Sequence, residues 1–472
     1  MFQIKIDGKK ADWQQGTSVR LNRKNPVFEY NSITGNLVND FILPFSQTND
    51  SLFAHFGNPQ TQYPDRDYVC EKYVDGQRIE HGLIQLKEVT ADGYQVIYVQ
   101  NFGEFFGDFQ AITLNKIDFG SESLALVANA NHLTDKYCFP IIENKGFYGS
   151  NVKEGYNNLV NEYVSGAYVS TAPKTPMLFL RFIFERIAAI CNCSFSGEFF
   201  AHPAIQRLII YNTFAIDGAT SITFQNHLPE ITIPELLKEM GKLFNLSIFI
   251  NLQTRNITIR FTNELLLSDT KLNWTNKVVP NAQRSPEPAN RLELDWDLDG
   301  NDDTMKVIPS DFVKYQTPQD NVRKGVLSPL RSKFSSLIKN SVSGLSVATQ
   351  AGITADFNQK NSVFSPRLLF WNGLVISKPT ATNQFENYRL SWHGEHNLKA
   401  EFWSKYEEFR VQTCSRKMMV NLNAYDLSQI DFHRNNGENI AVHIRGKDYY
   451  IDEIATPLPL DGQLSEVLFW ER

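Results

Sequence analysis

The segments Tyr68-Val-Cys-Glu-Lys-Tyr-Val-Asp-Gly76, Ile79-Glu-His-Gly-Leu-Ile-Gln-Leu86 and Gly93-Tyr-Gln-Val-Ile-Tyr98 decide the class of fold. They predict a β-meander with strands at 67–74, 78–89 and 94–100. Asp-Gly pairs at 75–76 and 92–93 separate these strands, and Asp-Gly favours tight turns whose twist matches that of the flanking strands. Upstream, Phe2, Ile4 and Ile6 alternate with polar residues and predict another strand.

The composition of the 472-residue chain extends this β prediction to the whole protein. It contains 34 Phe, 18 Tyr and 7 Trp, and aromatic residues suit the pleated, half-buried surface of a sheet. A chain of this length is expected to form about three domains. We predict a mainly β fold with α+β insertions, in which β-barrel-like domains accompany peripheral helix-containing domains.

Charge and cysteine content exclude several classes of protein. The net charge of −6 argues against a nucleic-acid binder that depends on a basic field. The five cysteines are few, odd in number and scattered, which is typical of a reducing compartment and not of a disulfide framework. Cys191 and Cys193 form a C-x-C pair without a second pair nearby, so we interpret them as small core or strand residues and not as metal ligands.

Neither a secretory signal nor a membrane span is predicted. The first residues lack a charged segment followed by an apolar one. No stretch approaches 18 consecutive apolar residues, which a transmembrane helix would need.

Three helices are predicted. The first follows Thr175-Pro176 and runs to about Ile190, because proline suits a first helical turn. The second begins after Thr232, where Thr232 and Glu235 fit a capping box. The third covers 397–409, where apolar residues recur at helical spacing.

The remaining segments predict further strands and one long loop. A hairpin is expected at 246–252 and 256–261, and single strands are expected at 291–298 and 367–371. After the third helix, strands near 417–422, 440–444, 448–457 and 464–470 predict a closing antiparallel sheet or small barrel. The region 264–365 is more polar, and Pro280, Pro286 and Pro288 are expected to break any long element there. A long loop is expected at 350–364.

Two motifs resemble metal sites, but each has a simpler interpretation. His393-Gly-Glu-His396 fits no zinc-protease spacing and precedes a helix, so we interpret it as a turn at the helix entry. Asp295-Trp-Asp-Leu-Asp-Gly300 resembles the start of a calcium loop, yet Lys306 stands where the bidentate glutamate belongs.

The alternation around this second motif is more informative. Leu292, Leu294, Trp296 and Leu298 alternate with acidic residues, which predicts a strand with one apolar and one acidic face. The acidic residues are Glu293, Asp295, Asp297 and Asp299.

No motif predicts catalysis. The G-x-S-x-G, Walker A and G-x-G-x-x-G patterns do not occur in the sequence. We therefore predict a protein that is not an enzyme, with no cofactor, no metal and no catalytic residue.

The order of these segments resembles that of phage tail hub proteins, namely the baseplate hub of contractile tails and the tail-associated Tal protein of non-contractile tails. The likeness is carried by the meander at 68–98, by Ile233-Pro-Glu-Leu-Leu-Lys-Glu-Met-Gly-Lys-Leu-Phe-Asn-Leu246 with the hairpin to Phe261, and by Tyr449-Tyr-Ile-Asp-Glu-Ile454. Ser391-Trp-His-Gly-Glu-His396 is similar to tail proteins in prophages of Bacteroidetes-type bacteria.

The resemblance implies a homotrimer in the virion tail, made in the cytoplasm of the bacterial host. Each subunit would supply two tube domains, at 1–118 and 286–472, around an α+β peripheral domain at 119–285 whose boundaries can interleave. Expected partners are a distal tail or tube protein, a spike or fibre protein, a tape-measure protein and DNA in transit.

The acidic strand has a specific place in this scheme. A lumen rich in lysine would bind DNA phosphates, whereas an acidic lumen lets DNA slide. We therefore expect the face with Glu293, Asp295, Asp297 and Asp299 to line the channel, the alternative being plain solvent exposure. Two other functions remain open: a distal tail or receptor-binding baseplate protein, and a β-rich glycan-degrading enzyme, which needs a pair of carboxylates about 5–9 Å apart.

Overall fold

A computed structural model describes residues 2–13, 19–29, 37–100, 105–149, 153–352, 366–460 and 462–472. Strands account for 40% of the structure and helices for 21%, so the predicted mainly β fold with helical insertions is confirmed. No helix in these ranges is long and apolar enough to cross a membrane.

The first large sheet, which we call the N-terminal sheet, contains the predicted meander. Its strands, in spatial order, are Lys9–Lys10, Phe2–Ile6, Tyr68–Val74, Gln77–Thr90, Gly93–Gln100 and Leu37–Leu43. All neighbouring pairs are antiparallel. Alternate residues of these strands, including Ile4, Tyr68 and Val96, form one buried core cluster.

The two turns of the meander differ from each other. Asp75 and Gly76 have φ angles of 50° and 82°, as the predicted turn requires. At the second connection Ala91 and Asp92 form the turn, and Gly93 already begins the next strand. Gly93 has a φ of 142°, and a Cβ there would meet the carbonyl oxygen of Leu43 on the neighbouring edge strand at 2.1 Å, so position 93 needs glycine.

The second large sheet, the C-terminal sheet, closes the chain as predicted. Its strands are Thr270–Asn273, Ala441–Ile444, Lys447–Leu458, Ser465–Glu471, Cys414–Val420 and Val278–Pro286, and Val19–Lys24 is added beside Lys447–Leu458. The prediction that prolines would break any long element near 280 holds only in part, because Val278–Pro286 is a nine-residue strand. Its pairing with the neighbouring strand shifts register between Val278 and Ala282, around Pro280, and the strand ends at Pro286. The strand lies at the sheet edge, where a missing N–H is tolerated.

Strand Val19–Lys24 connects the two large sheets. It leaves the N-terminal region and pairs antiparallel with Glu453–Leu458 of the C-terminal sheet. Arg23 on this strand is 5% exposed and donates from Nε and Nη2 to the Asp431 carboxylate at 2.8 and 2.7 Å. Its Nη2 also donates to the Ile79 carbonyl at 3.1 Å. One buried guanidinium therefore joins the crossing strand, a helix of the C-terminal region and the N-terminal sheet.

The other strands of the described residues form smaller sheets. A five-stranded antiparallel sheet contains Lys378–Thr382, Arg367–Val375, Leu208–Tyr211, Met177–Phe179 and Tyr137–Cys138. A four-stranded sheet contains Leu159–Val160, Ile142–Asn144, Leu345–Gln350 and Ile338–Val342. One three-stranded sheet contains Ser194–Ser196, Asn256–Phe261 and Leu246–Asn251. Another contains Tyr315–Gln316, Arg291–Trp296 and Leu327–Ser332. Three antiparallel two-stranded sheets pair Tyr163–Val164 with Ala167–Tyr168, Ser121–Ser123 with Ser221–Thr223, and Gln384–Phe385 with Tyr388–Arg389.

The helices agree only in part with the prediction. The helix Ile233–Phe244 is confirmed, with both hydrogen bonds of the capping box between Thr232 and Glu235. The first predicted helix begins later than expected, at Leu180, because Met177–Phe179 forms a strand of the five-stranded sheet. The third divides into a π-helix, Lys399–Trp403, and an α-helix, Ser404–Gln412.

Other helices were not predicted. The α-helices are Gln47–Leu52, Glu198–Ala201, Thr262–Leu265 and Ala424–Asn435. The 3₁₀ helices are Pro26–Phe28, Gly107–Gln110, Leu114–Lys116, Ile205–Arg207, Phe224–His227, Asp303–Met305 and Ser310–Phe312. Most of the loop expected at 350–364, residues 353–364, lies outside the described residues.

We expect Arg23→Met to lower the free energy of unfolding by about 3 kcal/mol, because removing one partner of a buried ion pair leaves the other without its counter-charge. Arg20→Met is the matched control: Arg20 lies on the same strand, its side chain is 62% exposed, and its pair with Glu466 at 3.4 Å is expected to contribute less than about 1 kcal/mol. Urea unfolding of both variants measures the difference. Equal losses in the two variants would contradict a central role for Arg23.

Candidate channel-facing strand and charged clusters

The acidic strand exists but is shorter than predicted. It spans Arg291–Trp296, between the antiparallel strand Tyr315–Gln316 and the parallel strand Leu327–Ser332. Leu292, Leu294 and Trp296 are buried as the alternation predicts, and the Trp296 indole donates to the Phe312 carbonyl at 2.9 Å. This apolar face fixes the direction in which the acidic side chains point.

Basic residues accompany the acidic face. Glu293 accepts hydrogen bonds from Lys314 Nζ at 2.9 Å and from Gln316 Nε2, and these bonds lower the pKa of its carboxyl. Asp297 forms an ion pair with Arg331 of the neighbouring strand. Asp295, between them, accepts a hydrogen bond from the Trp296 backbone at 2.9 Å. The face is therefore half-buried and largely neutralised by cations.

Asp299 departs from the predicted acidic face. The strand ends at Trp296, so the alternation no longer applies, and Asp299 is buried at 5% exposure. Arg367 pairs with both Asp299 and Asp302 at 3.3 Å. Arg367 also donates to the Gln350 side chain at 3.0 Å. This cluster fastens the loop after the acidic strand to the five-stranded sheet.

The two metal-like motifs have structural partners of their own. His393 Nε2 lies 3.2 Å from the Lys314 carbonyl, and His396 Nδ1 lies 2.9 Å from Glu401. Lys306 pairs with Asp303 at 2.5 Å. Throughout the described ranges, no group of three or more His, Cys, Asp or Glu residues could hold a metal ion.

The C-x-C pair of Cys191 and Cys193 packs in and against the hydrophobic core. Cys191 is buried and Cys193 is half-buried. Burial raises the pKa of the Cys191 thiol to about 11 and that of Cys193 to about 12. Neither thiol ionises readily at neutral pH, and the thiolate is the form that binds metal.

A polar cavity of about 270 Å³ lies beside the helix Ser404–Gln412. It is lined by Arg323, Ser404, Glu407, Glu408, Val411 and Gln412. Burial raises the pKa of Glu407, but hydrogen bonds from Lys399, Thr317 and Tyr315 outweigh it, so the pKa is lowered. Because a glycosidase acid must hold a proton at working pH, Glu407 does not suit that role.

Sequence reasoning missed a charged cluster at the end of the C-terminal sheet. Glu471 is 5% exposed, and its carboxylate accepts from Arg284 Nε and Nη2 at 2.8 and 2.7 Å. It also accepts from Arg416 Nε at 2.7 Å and Lys447 Nζ at 2.6 Å. One pattern in the sequence could have indicated it. Glu471 follows Ser465, Val467 and Phe469 at every second position of the strand, so its side chain points to the same inward face as theirs.

Comparisons with known proteins find distant structural similarity only. No protein-family model matches the chain, and no curated protein matches its sequence. The solved 43 kDa tail protein of prophage MuSo2 from Shewanella oneidensis is 9% identical over 99% of this chain and 97% of its own, with a TM-score of 0.40. A tail protein from Neisseria meningitidis MC58 is 8% identical over 100% and 96%, with a TM-score of 0.38.

Prophage tail protein gp18 from Listeria monocytogenes EGD-e is also similar. It is 8% identical over 100% of this chain and 94% of its own, with a TM-score of 0.36. At these low TM-scores the similarity does not assign a function to this chain.

We expect stability to fall less steeply with acid in Glu471→Gln than in the unmodified protein. Burial raises the pKa of Glu471, but the hydrogen bonds from Arg284, Lys447 and Arg416 lower it to about 2. A carboxylate with a depressed pKa in the folded state contributes stability above the unfolded value of 4.5, and the contribution is lost as pH falls towards 2. After allowance for solvent screening, we expect the Glu471 carboxylate to contribute about 1–2 kcal/mol to the free energy of unfolding at neutral pH.

Urea unfolding at pH values from 7 to 2 measures this slope. Glu466→Gln is the control, because Glu466 lies on the same strand and pairs with Lys417 at 2.8 Å while remaining 35% exposed. A Glu471→Gln profile that runs parallel to that of the unmodified protein across this range would show that the cluster contributes nothing.

Proposed function

We propose that this chain is a structural component of a phage tail. More specifically, we propose a tail-tip or baseplate hub that joins the tail tube to a spike or fibre and forms part of the DNA channel as a homotrimer. The protein would act by assembly and not by chemistry. Its partners would be a distal tail or tube protein, the spike or fibre protein and the tape-measure protein.

The observation that carries this proposal is the pair of large sheets within one chain. The strands of the N-terminal sheet fall within residues 2–100, and all but one of the strands of the C-terminal sheet fall within residues 270–471. The resemblance implies two β-barrel-like tube domains in each subunit, with helix-containing domains between them, and this arrangement agrees with that expectation. The division at 1–118, 119–285 and 286–472 is part of the proposal, with Val19–Lys24, Thr270–Asn273 and Val278–Pro286 interleaved into the C-terminal unit.

The acidic strand is the proposed channel-facing element. Glu293 and Asp295 lie on its half-buried face, and Asp297 follows directly after its end. The paired cations reduce the negative charge without making this surface basic. A near-neutral to acidic wall avoids the counterion-driven adhesion that phosphates show towards lysine-rich surfaces. Asp299, predicted for the same face, instead lies in the interior with Arg367.

Two other functions remain alternatives. A distal tail or receptor-binding baseplate protein would share the β-rich fold but would differ in its assembly. A glycan-degrading enzyme would need a protonated carboxylic acid paired with a second carboxylate, and Glu407 in the polar cavity has a lowered pKa. Cleavage of a host glycan that disappears on mutation of a carboxylate pair would favour the enzyme.

We expect the purified protein to form a trimer, with a mass about three times that of the 54.0 kDa chain. Light scattering over a range of concentrations, together with native mass spectrometry, measures this mass. A hexamer would favour the distal tail protein. A protein that remains monomeric at high concentration would contradict unaided trimer formation and would make the glycan screen the next experiment.

In an assembled ring, we expect Glu293, Asp295 and Asp297 to point towards the central axis, because only a surface that DNA passes needs to avoid phosphate binding. Electron cryomicroscopy of the assembled particle measures the distance of these carboxylates from the axis. Arg20 and Glu466, an exposed pair elsewhere on the chain, provide a reference for a position not chosen for the lumen. If these carboxylates lie on the outer surface, the strand does not line the channel, but the proposal that the chain is a tail component is unaffected.

A further inference from the structure

The cluster around Glu471 contains more positive charge than its carboxylate can neutralise. Arg284, Arg416 and Lys447 all contact this carboxylate, which leaves a surplus of two positive charges. One oxygen accepts from Arg284 Nε and Arg416 Nε, and the other accepts from Arg284 Nη2 and Lys447 Nζ. A carboxylate offers about four lone-pair positions, so Glu471 has no acceptor capacity left.

The two arginines stand in an unfavourable arrangement. Arg284 and Arg416 are directly opposite each other on neighbouring antiparallel strands. Like charges in this position destabilise a sheet. Locally unfavourable arrangements of this kind, such as two like charges opposite each other, are commonly found at functional sites.

The cluster retains donors that can reach solvent. Arg416 uses only Nε towards Glu471, and its two terminal nitrogens make no hydrogen bond within the described part of the chain. Its guanidinium carbon lies 5.8 Å from the centroid of the Tyr449 ring, a contact that helps to orient it. The side chains of Arg284, Arg416 and Lys447 are 55%, 31% and 41% exposed, so a ligand can approach all three.

We propose that Arg284, Arg416 and Lys447 form a binding site for a phosphate group, with Glu471 holding the three cations in place. A phosphate group supplies several acceptor oxygens and one or two negative charges, which matches the spare donors and the surplus charge. Arginine suits this ligand because its planar fork binds phosphate through two parallel hydrogen bonds. The phosphate can come from free phosphate or from the backbone of DNA, and the proposal is independent of the proposed function.

The test compares two neighbouring substitutions on one strand. Arg416→Gln removes a cation from the cluster. Lys417→Gln removes the same charge one residue later, from a side chain that points to the other face of the sheet, where it pairs with Glu466 at 2.8 Å. Isothermal titration of the 472-residue chain with inorganic phosphate, at constant ionic strength maintained with sodium chloride, gives the dissociation constant for each variant.

We expect saturable phosphate binding by the unmodified protein and by Lys417→Gln. We expect Arg416→Gln to raise the dissociation constant about tenfold or more, which corresponds to about 1.4 kcal/mol. Arg284→Gln provides a second variant if Arg416→Gln does not fold, as judged by circular dichroism. No saturable binding by the unmodified protein, or equal losses in Arg416→Gln and Lys417→Gln, would overturn the proposal.

A second titration with a short DNA duplex distinguishes the two sources of phosphate. If Arg416→Gln weakens both phosphate and DNA binding, while Lys417→Gln weakens neither, the site accepts backbone phosphates. If only the binding of inorganic phosphate depends on Arg416, the site takes free phosphate. Both results support the site, and they assign different ligands to it.

Discussion

The buried guanidinium of Arg23 is the interaction on which the arrangement of the two large sheets depends. A charged group removed from water must find partners, and Arg23 finds them in Asp431 and the Ile79 carbonyl. Asp431 lies on the helix Ala424–Asn435, and Ile79 lies on a strand of the N-terminal sheet. Separating either element from the crossing strand would leave buried charge without a partner. The sheets are thus held in one relative position by an electrostatic constraint as well as by apolar contact.

Apolar packing reinforces the same junction. Val74 and Ile79 of the N-terminal sheet belong to one buried cluster with Phe469 of the C-terminal sheet. Near this junction Lys72 and Glu80, both almost fully buried, pair at 2.6 Å, and Lys72 Nζ lies 3.7 Å from the centroid of the Tyr98 ring. Contacts of this kind are directional, so they favour one docking geometry over the many that apolar burial alone would allow.

Local electrostatics in this protein differ from what its net charge of −6 suggests. The strand that appears most acidic in the sequence is largely neutralised, because Lys314 and Arg331 reach its face from adjacent segments. In contrast, three cations converge on Glu471 from three separate strands. Net charge governs long-range behaviour, whereas binding depends on how charges from distant segments combine at one place.

The sequence by itself determined the elements whose signals are local. The alternation in the meander, the capping box of Thr232 and Glu235 and the apolar face of Leu292, Leu294 and Trp296 each depend on neighbours within a few residues. Only the tertiary structure decided that Met177–Phe179 is a strand and that Val19–Lys24 joins the C-terminal sheet. It alone also decided that Asp299 is buried against Arg367. Each of these outcomes depends on a partner far away in the chain, and periodicity carries no information about which distant segment supplies the partner.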